Sequence, residues 1–420
     1  MSSSSSSQGA SDPFSEDVVQ AVMGLRRAFA SLLSSLSGAS TNSPTQLGRL
    51  LKIDTKLAWK ITNFVNETDP FGAALFVPRT AAIKQFLKAA GSKGVAQNLL
   101  DDVLEAGNAF DAMAKRHGGD RRSAEMMFAG HSTKNSARIL QEHLRNAYRA
   151  NSVVWGLQTS VLTHGLILKP NASDPPMLDI VTLKGFLGLC YIRPNVSWRI
   201  QRMMKINSRD GVANQFERNA LDEEGRRQEG GPAWIREFCS QPLPECDLVE
   251  QPDGTLIYQL RPGAVGSTGM INCVMGEQIY AMTPGYADGE GRTELNFAAH
   301  VTTPTETFVF DIWIHKSIEF GERSFKMFSA MFIRTPAEAV DADEILSSED
   351  VTEFPVGMAD PVLLEDPRWG DVMVWSFEKL DQDIRDYRLV RLKMSYPPTP
   401  TIPVITFKLV IPEDKSLIRK

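Results

Sequence analysis

The sequence predicts an α+β protein, with an all-helical N-terminal domain that carries a helix-turn-helix and a β-rich C-terminal domain. Apolar residues recur at helical spacing through the first part of the chain. From about residue 166, short apolar segments alternate with glycine-, proline- and aspartate-containing turns, as in strands and hairpins. A chain of 420 residues with 42% hydrophobic content can bury more than one core. We therefore assign residues 1–13 to a disordered tail, 14–165 to the helical domain and 166–420 to the β-rich domain.

The helical domain is predicted to begin at Ser15, whose side chain can cap a helix that has Glu16 and Asp17 in its first turn. Apolar residues at helical spacing continue this helix to Leu36, and Ser37-Gly38 ends it. The same spacing predicts further helices over residues 79–90, 95–116 and 133–157.

Between these helices lie two short ones, within residues 44–65. Ser43 followed by Pro44, with Gln46 three residues after the cap, is typical of a helix start. Asp54 is positioned to cap a second helix that ends near Val65. The two helices are separated by only a few residues, which places them side by side.

The C-terminal domain is predicted to contain a hairpin of residues 247–250 and 255–260, joined through Asp253-Gly254. A second strand pair is predicted from residues 270–282 and 293–302. Residues 208–231 are charged and glycine-rich, which predicts a mobile loop, and 169–176 is the most linker-like stretch. Additional strands are expected at 178–191 (where Gly185 and Gly188 interrupt the apolar run), 307–314, 324–333 and 404–411.

The segment 47–61 resembles the helix-turn-helix of bacterial repressors of the Cro and phage-repressor type. The positions that match the pattern are Leu47, Gly48, Leu51, Ile53, Asp54, Ala58 and Ile61. Small residues at Gly48 and Ala58 suit two helices that cross closely. The resemblance covers about twenty residues.

The resemblance implies that the second helix enters the major groove of double-stranded DNA. Its lysines would contact phosphates or guanine, and an asparagine could reach an adenine edge. The residues that it places at DNA are Arg49, Lys52, Thr55, Lys56, Trp59, Lys60 and Asn63. Three departures from the pattern are Lys52 where glycine is usual, an acidic Asp54 near phosphates, and Trp59 on the groove face.

Two other interpretations remain open. The two helices could belong to a bundle, with Trp59 in its core, and the helical domain could pack on a protein partner. The chain could also be an enzyme of unknown class, which would require a deep polar pocket in the C-terminal half.

Charge is unevenly distributed. Residues 1–150 carry 18 Lys and Arg against 13 Asp and Glu, which leaves 27 of the 45 basic and 38 of the 51 acidic residues for the remainder. A basic helical domain joined to an acidic body favours binding of a polyanion by the helical domain. The basic pairs Lys115-Arg116 and Arg121-Arg122 are a second, weaker candidate for phosphate contact.

No sequence motif of metal, nucleotide or nucleophilic chemistry is present. The four cysteines form no C-x-x-C pair and are expected to be reduced thiols, and the six histidines lack metal-site spacing. No phosphate-binding glycine loop and no G-x-S-x-G occur. We expect no cofactor, no membrane span and a cytoplasmic location, with double-stranded DNA as the partner; a small-molecule effector and a homodimer are further partners that the interpretation allows.

Overall fold

In a computed structural model, the chain forms two compact units, Met1–His143 and Leu144–Lys420. The structure describes residues 12–36, 43–132, 136–203, 217–225, 231–252, 256–287, 291–330, 344–346 and 351–412. The α+β class predicted from the sequence is confirmed, because helices dominate the first unit and strands the second.

The described part of the first unit is helical. Aspartate or serine side chains cap the starts of α1, α2, α3, α4 and α7 by accepting backbone N–H groups that have no helical partner. The helices are α1 (Pro13–Ser35), α2 (Pro44–Leu51), α3 (Thr55–Asn66), α4 (Pro70–Phe76), α5 (Thr80–Gly91), α6 (Gln97–Gly118) and α7 (Arg121–His131), and α8 (Ser136–Trp155) spans the division between the units.

The core of this unit forms around one face of α1, where apolar residues from Phe14 to Leu36 are buried. Phe29 of α1 contacts Phe64 of α3 at a ring-centroid distance of 5.7 Å and Phe86 of α5 at 5.5 Å. These three rings are fully buried and fasten α3 to the rest of the unit.

Two features of the helical unit differ from the prediction. The cap of α1 is Asp12 rather than Ser15, because Pro13 occupies the first helical turn, where its missing N–H is not needed. The short helix α4 and the helix α7 were not predicted, and α7 occupies part of a stretch that was assigned no helix. The predicted stop at Ser37-Gly38 lies outside the described residues.

The described residues of the second unit form three sheets. The largest has the order β12-β13-β9-β1-β2-β7-β4, with β1 and β9 parallel and the other described neighbours antiparallel. The other sheets have the orders β11-β10-β14-β8 and β3-β6-β5. The strands are β1 (Leu157–Pro170), β2 (Met177–Tyr191), β3 (Trp198–Met203), β4 (Arg218–Ala220), β5 (Cys246–Glu250), β6 (Leu256–Leu260), β7 (Ile271–Pro284), β8 (Glu294–Ala298), β9 (Thr305–His315), β10 (Phe320–Ser329), β11 (Glu344–Leu346), β12 (Val351–Phe354), β13 (Tyr387–Ser395) and β14 (Thr401–Leu409); helix α9 is Arg368–Lys379.

The predicted end of the helical domain at residue 165 is wrong. Strand β1 begins at Leu157 and pairs with both β2 and β9, so residues 157–165 belong to the second unit. The stretch 169–176 is not a linker between domains, because it connects two neighbouring antiparallel strands. Pro170 near the end of β1 is the partner of Leu178 near the start of β2.

The hairpin of β5 and β6 is present, and its predicted turn Asp253-Gly254 lies outside the described residues. The second predicted pair is wrong, because β7 pairs with β2 and β4 while β8 pairs with β14. Within the predicted loop 208–231, residues 218–220 form β4 on the edge of β7, and 208–216 and 226–230 lie outside the described residues.

Helix α9 covers one face of the largest sheet. The ring of Trp369 lies against Gly165 and Gly185, where an added Cβ would meet ring atoms at 3.0 Å and 3.7 Å. Gly185 therefore does not interrupt β2, as the sequence suggested, but makes room for an aromatic ring. Beneath that ring, the buried Asp311 accepts hydrogen bonds from Trp369 and Arg391.

Candidate nucleic-acid interface

The helices α2 and α3 are joined by the three residues Lys52–Asp54. Lys52 ends α2 in the left-handed conformation, at φ 51° and ψ 42°, and the N–H of Ile53 donates to the carbonyl of Gly48 at 3.1 Å. The Asp54 carboxylate accepts from the N–H of Lys56 at 2.7 Å and thereby starts α3. The Asp54 carboxylate is thus engaged as the cap of α3.

The close approach of the two helices depends on two small residues. A Cβ added at Gly48 would lie 3.6 Å from the Cβ of Ala58 and 3.5 Å from the carbonyl oxygen of Ile53. These are ordinary van der Waals distances, so a methyl group fits there and a larger side chain does not.

We expect Gly48→Ala to raise the free energy of unfolding by up to about 1 kcal/mol, because alanine fits and favours the helix. Gly48→Leu should lower it by about 1–3 kcal/mol through overpacking. Urea unfolding of the full-length variants measures both. Equal stability of the alanine and leucine variants would show that the crossing is not tightly packed.

The left-handed conformation of Lys52 predicts a second effect. A side chain at positive φ costs about 1 kcal/mol, whereas glycine adopts this conformation freely. Lys52→Gly should therefore increase the free energy of unfolding by up to about 1 kcal/mol, and Lys52→Ala, which keeps the strain, should not. Denaturation midpoints of the two variants test this difference, and a glycine variant less stable than the alanine variant would contradict it.

One face of α3 is open to solvent. Leu57, Ala58, Ile61, Thr62 and Phe64 are buried, while the other face carries the polar and cationic residues that the resemblance places at DNA. Thr55, Lys56, Trp59 and Lys60 are exposed there, as are Arg49 on α2 and Lys52 in the turn. At about 100° per residue, the exposed positions of α3 fall within less than half of the helix circumference.

Trp59 is 46% exposed, which excludes the interpretation that places it in a helical core. Its ring meets the edge of Phe76 at 5.4 Å, so α4 supports it from one side. The neighbouring Leu57 is only 7% exposed, so the tryptophan does not join an apolar docking patch formed with that residue.

Asn63 is the predicted contact residue that the structure favours least. Its side-chain amide is half-buried and donates to the carbonyl of Trp59, one turn earlier, at 2.7 Å. An adenine contact would require this bond to break. Thr55, Lys56, Trp59 and Lys60 are therefore the residues of α3 available for contact.

The cations of this region have no acidic partner within the described residues. Arg49, Lys52, Lys56 and Lys60 form no ion pair there. The other basic cluster differs, because Arg116 contacts Asp17 at 2.7 Å and Arg121 contacts Asp111 at 2.7 Å and Glu125 at 3.1 Å. Arg116 and Arg121 are thus already paired with carboxylates, whereas the four cations around α3 have no such partner among the described residues.

Sequence reasoning missed the cations of α5. Helix α5 contacts α2 and carries exposed Lys84 and Lys88, and residues 70–100 contain no Asp or Glu. Residues 44–100 hold eight Lys and Arg against three Asp and Glu, which equals the whole positive excess of residues 1–150. A count of charge by segment would have located this basic surface.

The second unit offers a shallow surface crevice of about 370 Å³ as a possible enzyme site. It is lined by Asp222, Arg236, Glu237, Gln241, Trp375 and Lys379. Arg236 is paired with Asp222 at 3.1 Å and with Glu224 at 2.6 Å, so the charge of its guanidinium is balanced by these carboxylates. The other charged residues of the lining, Glu237 and Lys379, form no ion pair with a described residue, and the Lys379 ammonium lies 5.3 Å from the ring of Trp375.

Within the residues that the structure describes, no group of three or more His, Cys, Asp or Glu side chains is arranged to hold a metal ion. Across the same residues, no helix combines the length and the apolar character that crossing a membrane requires. Burial raises the pKa of the Cys239 thiol to about 11 and that of Cys246 to about 12, so neither thiol is activated as a nucleophile.

Comparison with known proteins assigns the chain to no family, since no protein-family model and no curated protein sequence matches it.

Proposed function

We propose that α2 and α3 form a helix-turn-helix that binds double-stranded DNA, and that the chain is a cytoplasmic transcriptional regulator. In this proposal α3 lies in the major groove, and the β-rich unit senses a small molecule or mediates assembly. The observation that carries the proposal is the solvent-exposed face of α3, on which Lys56 and Lys60 stand without acidic partners among the described residues.

Three further contacts support this assignment. The Gly48–Ala58 approach holds the two helices close, Asp54 caps α3, and Phe64 anchors α3 to the core. A groove-binding helix must be held rigidly from behind while its outer face stays free, and these contacts satisfy that requirement. The exposed Arg49 and Lys52 lie before α3, where backbone phosphates would be reached.

The interaction-protein hypothesis has weaker support. A protein-docking face requires contiguous exposed apolar residues, and on α3 only Trp59 provides a large exposed apolar side chain. A mostly cationic face with one aromatic ring suits phosphate and base contact better than an apolar partner.

The proposal predicts that Lys60→Ala weakens DNA binding and reduces its salt dependence. Each phosphate-bound lysine releases about one counterion, so the slope of log K against log salt should fall in magnitude by about 0.9. Full-length protein would be titrated into a labelled random-sequence duplex over a series of salt concentrations, followed by fluorescence anisotropy.

The matched control is Lys115→Ala, which removes an exposed lysine from α6 in the same unit. Its slope should equal that of the unmodified protein. Identical slopes for Lys60→Ala and the unmodified protein would remove Lys60 from the interface, and a reduced slope for Lys115→Ala alone would move the interface to α6.

A further inference from the structure

A cluster of basic side chains lies on the face of the largest sheet that α9 does not cover. Gly165 and Gly185 face the ring of Trp369, so their neighbours His164 and Lys184 point to the opposite face. His164 and Lys184 are direct cross-strand partners of β1 and β2. The imidazole of His164 meets the ring of Phe310 at 5.2 Å, and the Lys184 ammonium lies 5.2 Å from the ring of Phe186.

Two more basic residues approach this pair from other segments. His300 is close enough to act electrostatically on His164, and both Lys184 and Arg202 act on His300. The indole N–H of Trp198 donates to the Thr303 hydroxyl at 2.7 Å, which holds β3 beside the segment that carries His300. Basic groups from three strands and one connecting segment thus converge.

No carboxylate of the described residues balances this charge electrostatically at His164, Lys184 or His300. Glu277 lies two residues from Met275, the partner of Lys184 on β7, but its carboxylate is engaged by Arg218 at 3.2 Å. Desolvation lowers the pKa of His164 to about 3, of His300 to about 4 and of Lys184 to about 8. The surrounding protein therefore disfavours the charged forms.

Water nevertheless reaches these groups. His164 and Lys184 are half-buried and His300 is exposed, although protein atoms surround all three closely enough to desolvate them. The three groups are therefore partly covered by protein and partly open to solvent. A partly desolvated ammonium such as that of Lys184 is unfavourable by itself and is stabilised when a counter-charge binds.

We propose that His164, Lys184 and His300 form a partly covered binding site for the carboxylate or phosphate group of a small anionic molecule. The role of this molecule as the effector of the β-rich unit rests on the proposed regulatory function. Binding of the anion itself can be tested without DNA. The Lys184 ammonium provides the main charge, and each imidazole donates an N–H to the bound anion.

The test uses the full-length protein with inorganic phosphate and with malonate, each titrated at constant ionic strength set with sodium chloride. Binding is followed by the ring NMR signals of His164 and His300, assigned through His→Gln variants. We expect saturable binding of at least one anion, with a dissociation constant of about 1 mM or tighter. Saturation by phosphate alone identifies a phosphate-bearing ligand, and saturation by malonate alone a carboxylate-bearing one.

Affinity should also depend on pH. Lysine carries its charge below its pKa, so binding should be strongest below pH 8 and weaken as pH rises through the Lys184 pKa of about 8. A bound anion stabilises the protonated imidazoles, so the His300 pKa should rise on saturation. The groups facing this cluster are Arg202 from β3 and the Arg218-paired Glu277 from β7.

Lys184→Met should weaken binding at least about tenfold, because it removes the charge and keeps the apolar stem. Lys393→Met is the control, because it removes an exposed lysine of β13 that is paired with Glu365. This variant should leave the anion affinity unchanged. Should Lys184→Met not fold, His300→Gln at an exposed position supplies the same test. Signals that move no further with phosphate or malonate than with chloride, or unchanged affinity in these site variants, would overturn the inference while leaving the DNA-binding result intact.

Discussion

Asp311→Ala is expected to lower the free energy of unfolding of the second unit by about 3–5 kcal/mol. The Asp311 carboxylate is fully buried and accepts two hydrogen bonds of 2.8 Å from the Arg391 guanidinium and one of 2.9 Å from the Trp369 indole. Its removal leaves a buried guanidinium without its counter-charge. Urea unfolding, monitored by the ¹⁹F signal of 5-fluorotryptophan at Trp369, measures the loss.

The matched control is the double variant Asp311→Leu with Arg391→Met, which removes both charges and keeps the volume apolar. A buried ion pair replaced in this way is often neutral in stability, so the double variant should recover most of the loss. Recovery should stop short of completeness, because Arg391 also donates to the carbonyl of Val362 at 3.0 Å. A loss below about 1 kcal/mol in Asp311→Ala would contradict a closed, water-free pair.

Phe64→Ala is expected to destabilise the helical unit by about 3–5 kcal/mol. Phe64 is fully buried and meets Phe29 at 5.7 Å, so truncation leaves a cavity between α3 and α1. Trp59 is the one tryptophan among residues 1–143, and its ¹⁹F signal reports unfolding of this unit separately from the other six tryptophans.

Two controls accompany this variant. Phe64→Leu keeps part of the volume and should lose less stability than Phe64→Ala, and Lys60→Ala, at an exposed site, should lose almost none. DNA binding should follow a different order, because Lys60→Ala weakens it in a folded unit. If Phe64→Ala leaves the Trp59 unfolding transition in place, the three-phenylalanine contact does not anchor α3.

The prediction from sequence succeeded where local chemistry decides the structure. The positions of α2 and α3 follow from Ser43 and Asp54 as caps and from apolar spacing, and all of these signals lie within about 25 residues. The positive φ of Lys52 agrees with the glycine that the resemblance places at this position. The amide contact of Asn63 was not anticipated, since its bond to the Trp59 carbonyl depends on a rotamer that sequence does not specify.

The prediction failed where strands are chosen by distant partners. Strand β1 is central and mostly buried, and its buried positions include Thr159 and Thr163 as well as aliphatic residues, so its sequence lacks the apolar–polar alternation of a half-exposed strand. Without that alternation, no strand signal separates residues 157–165 from the helix predicted before them, which is why they were assigned to the helical domain. Similarly, β7 and β8 are neighbours in sequence but belong to different sheets, and no local signal distinguishes these pairings.

The cluster of His164, Lys184 and His300 shows the same limit at the level of a site. His164, Lys184 and His300 are separated by 20 and 116 positions in the sequence and are brought together by the sheet. No metal-site spacing surrounds either histidine, and the prediction from sequence did not connect them. Only the cross-strand register of β1 and β2 and the packing of β3 bring these charges together.

The central claim is that the exposed face of α3 contacts DNA, and Trp59 on that face permits the most direct test. Full-length protein labelled with 5-fluorotryptophan would be titrated with a duplex of about three helical turns, with its seven ¹⁹F signals resolved. The account predicts a saturable shift of the Trp59 signal that the Lys56→Ala, Lys60→Ala double variant abolishes and Lys115→Ala does not. Saturable DNA binding that leaves the Trp59 signal unmoved, or no binding at low salt, would contradict it.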